Sequence, residues 1–292
     1  MTYNIEMKGS ESDGGWQNRT LSKVVETITT ADPDVVGLQE DTDDWYAEES
    51  GYLWNKTYTN HLEGLETAGY ASTNFGGYGK ERLNIYYKSS KFNKEAYGTM
   101  LYVELAKKAG FTDVEPDYAE YHNADTQPQG RFFSWVVLTD KTTGVTVLVV
   151  NTHLHYKAND DNIEYAEYDD SLRAAQAKLL NAWLDSMAEQ YPNQVVMGDM
   201  NNNPATQTLV NLSDGLEIAR DDAWYKGDVG GTLASTTIYT RRDPEIFDHI
   251  LYRNIEAIKY YVIDNKIDLV DGEYRYPSDH LPVYSEFICY AE

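Results

Sequence analysis

The chain has 292 residues, 41% of them hydrophobic, which is enough for a sizeable buried core and excludes a disordered polypeptide. Acidic residues outnumber basic ones by 48 to 24, a formal net charge of −24. That field argues against tracking along duplex nucleic acid, which needs Lys and Arg at phosphates, but it permits a small phosphorylated molecule held through a metal ion.

In chain order, "MTYNIEM" has the alternation of a short strand. A strand already in progress at Met1 predicts a natural chain that begins upstream. With the many Tyr, Asn and Asp, this start is consistent with an exported bacterial protein. Leu21, Val24, Val25 and Ile28 follow at helical spacing, "ADPD" stops that helix, and "VVGLQE" is an apolar run ending in Glu40, the signature of a buried strand. Residues 48–79 are rich in Tyr, Gly and Asn, with short helical patches. "RLNIYYKSSKF" reads as a strand and turn, and "FNKEAYGTMLYVEL" as a further strand. The stretch from Lys107 to Gly130, with Pro116 and Pro128, is expected to be a long surface loop, and its length points to a function.

"RFFSWVVLTDKTTGVTVLVVNTHLHY" is the clearest hairpin, two β-rich runs around "DKTTG". A long helix follows, with Leu172, Leu179, Leu180, Trp183 and Met187 on one face. Then come a strand and loop in "QVVMGDMNNNP", a helical patch from Ala205 to Leu212 and a loop region. Two strands in "EIFDHILYRNIEAIKYYVI" and a loop into a final strand in "YPSDHLPVYSEFICY" close the chain. The one cysteine, Cys289, excludes an internal disulfide and a cysteine-rich zinc site. No run of about 18 apolar residues is present to span a membrane. Without repeats or linkers, residues 1–292 read as one domain of two packed sheets with helices outside.

Several strands end in an acid–base or metal-liking residue: Asn4, Glu40, His153, Asp199, Asn201, Asp248, Asp279 and His280. Strand ends on one rim converge in space, and these residue types suit hydrolysis of a phosphate ester. Glu40, with Asn4 and Asp279 near it, offers hard oxygen ligands for Mg²⁺, which would polarise a phosphoryl oxygen. His280 or Asp199 would orient or deprotonate the attacking water, and Asp248 would fix the tautomer of His280. Asn201 and His153 would donate hydrogen bonds to phosphoryl oxygens. In an extended segment Asp199 and Asn201 would share one face, one serving the water and the other the phosphate.

Each residue also has a plain structural role. Asp, Asn and Pro after a strand make turns. Asp279 and His280 can cap a loop, Glu40 can cap a helix in "DTDDWYAEE", His153 can be a core histidine, and Asn4 can bond backbone. Asp248 within a strand needs a partner, and His280 fits. Their occurrence together favours chemistry. Arg131, Glu81, Asn84 and His155 are candidate substrate contacts, although salt bridges or surface roles explain them equally well. Arg173 suits packing or a helix-surface pair as well as substrate contact. His61, His122 and His249 read as structural or solvent-facing, and the acidic runs "DTDDW" and "YDD" as solvated faces.

"TYNI", "DVVGLQE", "NTHL", "GDMN" and "SDHLP", in this order, resemble the endonuclease/exonuclease/phosphatase family with the DNase I-like fold. The resemblance runs from Asn4 to His280. "ERLNIYYKSSKF" and "GRFFSWVVL" resemble the glutamate–asparagine–tyrosine strand and the arginine-led strand of bacterial members. It implies an α/β fold, a four-layer α/β/β/α sandwich of two mixed sheets flanked by helices, and Mg²⁺- or Mn²⁺-dependent hydrolysis of phosphoesters. It also implies metal-side roles for Asn4, Glu40 and Asp279, phosphate and water roles for His153, Asp199 and Asn201, and a pairing of Asp248 with His280. Two departures stand out. His249 follows Asp248 where members often carry tyrosine, and His155 stands where many bacterial members carry aspartate. The basic surface of nucleic-acid-acting members is missing, so the expected enzyme is a monomer acting on a small phosphorylated molecule. The rivals are a nuclease and a non-catalytic binding module that uses the same rim. A membrane-acting sphingomyelinase-like enzyme fits less well, since no hydrophobic hairpin or basic amphipathic helix offers itself to lipid.

Overall fold

The computed structural model describes residues 1–5, 16–41, 64–73, 83–116, 118, 131–156, 163–234, 241–268 and 274–290; of residues 16–21, 163–166, 267–268 and 274–275 it describes the backbone alone. Helix α1 (Trp16–Ala31) turns the expected spacing into a buried stripe, with Val24 and Ile28 inside. It stops at Asp32, which adopts φ +50° ahead of Pro33 and returns its N–H to Ile28 O at 2.9 Å.

Two mixed sheets dominate the described residues. The first has seven strands in the order β10 (Tyr225–Lys226), β12 (Glu256–Val262), β15 (Val283–Ile288), β1 (Thr2–Asn4), β2 (Val35–Gln39), β4 (Ile85–Lys88) and β3 (Tyr70–Ser72). The second has six, in the order β5 (Phe92–Leu101), β6 (Phe132–Asp140), β7 (Thr146–His153), β8 (Gln194–Asp199), β11 (Asp248–Arg253) and β9 (Glu217–Ile218). A small pair, β13 (Ile267–Asp268) and β14 (Tyr274–Arg275), stands apart. Helices α2 (Tyr102–Lys107), α3 (Ile163–Met187), α4 (Gln207–Leu212) and α5 (Ala219–Asp222) complete the described elements named here.

Three apolar layers hold the sandwich together. Val136, Val149, Met197, Ile250, Tyr260 and Val283 pack between the sheets. Phe133, Leu148, Val150, Leu179, Trp183 and Val196 pack between the second sheet and α3, where the Phe133 and Trp183 rings lie 4.8 Å apart. Tyr3, Val24, Ile28, Val36 and Leu38 pack between the first sheet and α1. This is the expected DNase I-like α/β sandwich. Each fully buried Leu, Ile or Val in these layers contributes about 1.5–3 kcal/mol.

The topology also gathers the rim. β1 runs parallel to β2 with Asn4 opposite Gln39, so Asn4 and Glu40 leave the first sheet at the same end. β7 runs parallel to β8 with His153 opposite Asp199. β11 is antiparallel to β8, which puts its first residue, Asp248, opposite Asp199. β1 packs directly against β8 and β11, and this brings the two sets of strand ends together.

Two expectations need correction. Residues 102–107 form a helix rather than the end of a strand: Tyr102, Leu105 and Ala106 bury one face, and Tyr102 N–H finds Arg131 O at 3.1 Å. Residues 108–116 run as turns along the surface, largely exposed as expected, with Phe111 alone of them buried. The stretch 119–130 and Glu81 lie outside the described residues. β8 ends at Asp199, and Asn201 has φ +50°, so Asp199 and Asn201 do not share a face of an extended strand.

Candidate active site

Asp199 is the point of convergence. It is 1% exposed. Its Oδ2 accepts Asn4 Nδ2–H at 3.1 Å and lies 3.4 Å from His153 Nε2 and 3.6 Å from His280 Nε2. Its Oδ1 accepts Asn201 N–H at 2.7 Å, which is why the chain turns there. The Asn201 amide donates in turn to Leu154 O at 3.0 Å, and Leu154 N–H returns to Asp199 O at 2.9 Å. Asn201 therefore fixes the mouth of the strand, with its amide donating one hydrogen bond to backbone.

His280 reaches Asp248 Oδ2 through Nδ1 at 2.8 Å, leaving Nε2 toward Asp199. Asp248 and His280 are both buried, while the Asp279 side chain is 42% exposed and lies 3.9 Å from His280 Nε2. Burial disfavours the His280 imidazolium, yet Asp248, Asp199 and Asp279 outweigh it, and the pKa lies well above the ordinary histidine value. Burial pushes Asp248 up, against the pull of His280. Burial would raise Asp199 too, but His280, His153, Asn201 N–H and the Asn4 amide hold it below the usual carboxylate value. The pocket therefore keeps a carboxylate and an imidazolium side by side.

The Asn4 amide also donates to Glu40 Oε1 at 3.3 Å, joining the end of the first sheet to Asp199. Glu40 itself takes φ +53° at the turn after β2. Next to it, Asp41 is buried and accepts Asn84 Nδ2–H at 2.7 Å. Asn84 thus supports the glutamate turn from below. Among the described residues one group of acid and imidazole ligand atoms, from Asp199, Asp248 and His280, lies within 4.8 Å.

The model of the Endonuclease/Exonuclease/phosphatase family matches residues 1–280, which include every residue just described. The chain belongs to the endonuclease/exonuclease/phosphatase family. Among solved structures it is similar to a Bacteroides thetaiotaomicron mannosyl-6-phosphatase, at 21% identity and TM-score 0.71 over 98% of both chains. It is also similar to an endonuclease/exonuclease/phosphatase family protein from the same organism, at 19% identity and TM-score 0.71 over 99% of this chain and 97% of that one. A third is D. rerio TDP2 complexed with a single-strand DNA product, at 16% identity and TM-score 0.63 over 98% and 96%. A comparison with curated proteins gave no match. Among the described residues of this family member no helix is long and apolar enough to cross a membrane.

The remaining candidates lie along the flank beyond β7. His155 Nε2 pairs with Asp169 Oδ1 at 2.8 Å, so the histidine that stands where many bacterial members carry aspartate has a hydrogen-bond partner from α3. Burial lowers its pKa, against the pull of Asp169. In the acidic run "YDD", Tyr168 and Asp170 are exposed as expected, and Asp169 alone departs from the solvated-face reading by being buried. Arg173 is 2% exposed; it donates to His155 O at 3.2 Å while Gln176 Oε1 accepts His155 N–H at 2.8 Å. Arg173, Asp169 and Gln176 therefore clamp the segment after His153 from one face of α3. Arg131 lies 5.6 Å from the ring centre of Tyr156 on the same flank. Glu81 lies outside the described residues.

His249, where family members often carry tyrosine, is buried with Nε2 at 3.0 Å from both Asn202 O and Ile246 O. That geometry wants a neutral ring donating one proton, and burial lowers the pKa to about 4. The unfolded chain binds this proton near pH 6.5. Stability from His249 is therefore fully present above that pH and is lost as pH falls toward about 4. The expected loss between about pH 7.5 and pH 4.5 is about 2.5 kcal/mol. Urea unfolding of the wild type and H249Y at both pH values checks it: the wild type should lose that much more than the variant.

Proposed function

We propose that this chain is a divalent-metal-dependent phosphoesterase that hydrolyses an ester of a small phosphorylated molecule by in-line attack of water, with residues 1–292 acting as one domain. The observation that carries the reading is the convergence of Asn4, His153 and His280 on one buried carboxylate oxygen of Asp199. The donor set fits a hard dication. Glu40, Asp199, Asp248 and Asp279 bring four carboxylates to one site against two imidazoles, and Glu40 and Asp279 are only partly buried. On this reading Asn4, Glu40 and Asp279 would hold Mg²⁺ or Mn²⁺, beside the Asp248–His280 pair, whose Oδ2 and Nδ1 are bonded to each other. Bound there, the ion would supply Lewis-acid polarisation of the phosphoryl group and charge neutralisation.

The protein's own groups divide the rest of the work. Asp199, held ionised and fixed by four neighbours, orients the attacking water and takes its proton. His280, kept as the imidazolium by Asp248, and His153 donate hydrogen bonds to the phosphoryl oxygens. Asn201 and Asn84 set the two strand mouths. Arg131 and the His155–Tyr156 segment would meet the remainder of the substrate. A net charge of −24 supports a small substrate over a polynucleotide. One structural neighbour carries the name mannosyl-6-phosphatase, which agrees in kind.

Nitrophenol release from the mono- and bis-nitrophenyl phosphates with Mg²⁺, Mn²⁺ or EDTA, beside H280A, tests the reading. Turnover should need the metal and fall by about 10²–10⁴-fold in the variant. Sugar phosphates, inositol phosphates, nucleotides and plasmid DNA then sort the substrate class, and a preference for plasmid DNA would replace this reading with a nuclease. Inactivity on every ester with either metal present would favour a binding module.

A further inference from the structure

Thr232 plays no part in the reaction as drawn, yet it is fully buried behind the Asp248–His280 pair. Its Oγ1 accepts the N–H of Phe247 at 2.9 Å and of Asp248 at 3.2 Å. Its carbonyl accepts Leu281 N–H at 2.6 Å, and its own N–H donates to Glu245 O at 2.7 Å. The next two residues continue the pattern: Leu233 bridges to His280, and Ala234 N–H donates to Asp279 O at 2.7 Å. On the other side, Arg241 Nε donates to Gly231 O at 2.6 Å. One short segment thus holds both halves of the pair, which come from distant parts of the chain.

The hydroxyl is the informative part. Two N–H groups occupy its oxygen, so its hydrogen remains to be given away. Asp248 Oδ1 is buried and has no hydrogen-bond partner at ordinary geometry, while Oδ2 is taken by His280. A buried carboxylate oxygen left bare is costly, and, against burial, which pushes the Asp248 carboxyl up, the Thr232 side chain is near enough to pull it down as a hydrogen-bond donor. We infer that Thr232 is the positioning residue of the Asp248–His280 pair: it anchors the Asp248 backbone with two accepted hydrogen bonds and fixes the carboxylate plane by donating its hydroxyl hydrogen to Oδ1. His280 then holds Nε2 toward Asp199 at the reacting side. The catalytic half of this inference rests on the phosphoesterase reading; the structural half does not.

The experiment compares wild type, T232V and T232S. Its first readout is the far-downfield proton resonance of His280 Nδ1–H in the metal-free protein, identified by its loss in H280A. The second is kcat and KM on a nitrophenyl phosphate with Mg²⁺, beside the thermal midpoint. T232V keeps the shape and removes the hydroxyl: the resonance should shift or broaden away, and kcat should fall roughly ten- to a hundredfold with little change in KM. T232S restores the hydroxyl and should restore both, to within about threefold of wild-type kcat. If T232V does not fold, T232A takes its place. Loss in T232V with recovery in T232S supports the inference. An unchanged resonance in T232V, a T232S that fails like T232V, or a wild type with no such resonance overturns it. If the wild type turns over no ester at all, the phosphoesterase reading fails alone, and the resonance series still decides whether Thr232 positions the pair.

Discussion

D199N is expected to lower kcat by about 10³-fold or more while leaving the fold intact. The reason lies in how little an amide can satisfy at this point. Asp199 Oδ1 takes Asn201 N–H, and Oδ2 takes the Asn4 amide with His153 and His280 close behind. All of these neighbours can donate a proton, and the two imidazoles face the same oxygen. An asparagine has one oxygen to offer. Turned toward Asn201, it points its NH₂ group at the Asn4 amide and the two rings, donors against donors. Turned the other way, it strips the turn of its acceptor. Either way the water loses the carboxylate that would orient it and take its proton. Circular dichroism and the thermal midpoint establish that D199N is folded, and steady-state kinetics with Mg²⁺ and Mn²⁺ give the loss. A folded D199N with wild-type kcat would remove Asp199 from the chemistry.

The parts of this site that could be read from the sequence were those carried by residue type at a strand end. "GDMN", "NTHL" and "VVGLQE" each close a run with strand character and "SDH" leads into one, and parallel pairing of β1 with β2 and of β7 with β8 brings the ends of each pair together. What stayed hidden depends on distant partners. Helix α2 has the Tyr, Val and Leu of a strand; its helical turn buries Tyr102, Leu105 and Ala106 in the layer that also holds Leu172 and Leu179 of α3. Period-two alternation marks β11 and β12 as strands but not as members of different sheets, a parting made at Asn254 with φ +57°. Asp169 sits in a run of acids that composition assigns to solvent, and only its bond to His155 shows otherwise. Thr232 lies in "GTLA", a stretch without a titratable group, and every partner that gives it meaning is at least 13 residues away.

G198A carries the largest expected structural effect, and it joins packing to catalysis. Gly198 pairs with Thr152 across the parallel β7–β8 ladder, one residue before Asp199. A Cβ at position 198 would lie 1.9 Å from Thr152 O, 2.8 Å from Thr152 C and 3.0 Å from Thr152 N. These are backbone atoms in a central ladder, so no side chain can rotate away, and the strands themselves must part. The expected cost is about 3 kcal/mol or more. Parting the strands moves Asp199 relative to His153, its partner in the ladder, and a displacement of about 1 Å between such groups lowers kcat by about 10²-fold. Gly144 supplies the control. It has φ +75° in the turn after β6, and a Cβ there meets nothing within 4 Å. G144A should therefore cost only the left-handed backbone strain of about 1–2 kcal/mol, with kcat untouched. Denaturant unfolding gives the two stabilities and nitrophenyl phosphate kinetics the two rates. A G198A protein no less stable than G144A, with wild-type turnover, would mean that β7 and β8 do not approach as closely as described, and the convergence on Asp199 would lose its structural basis.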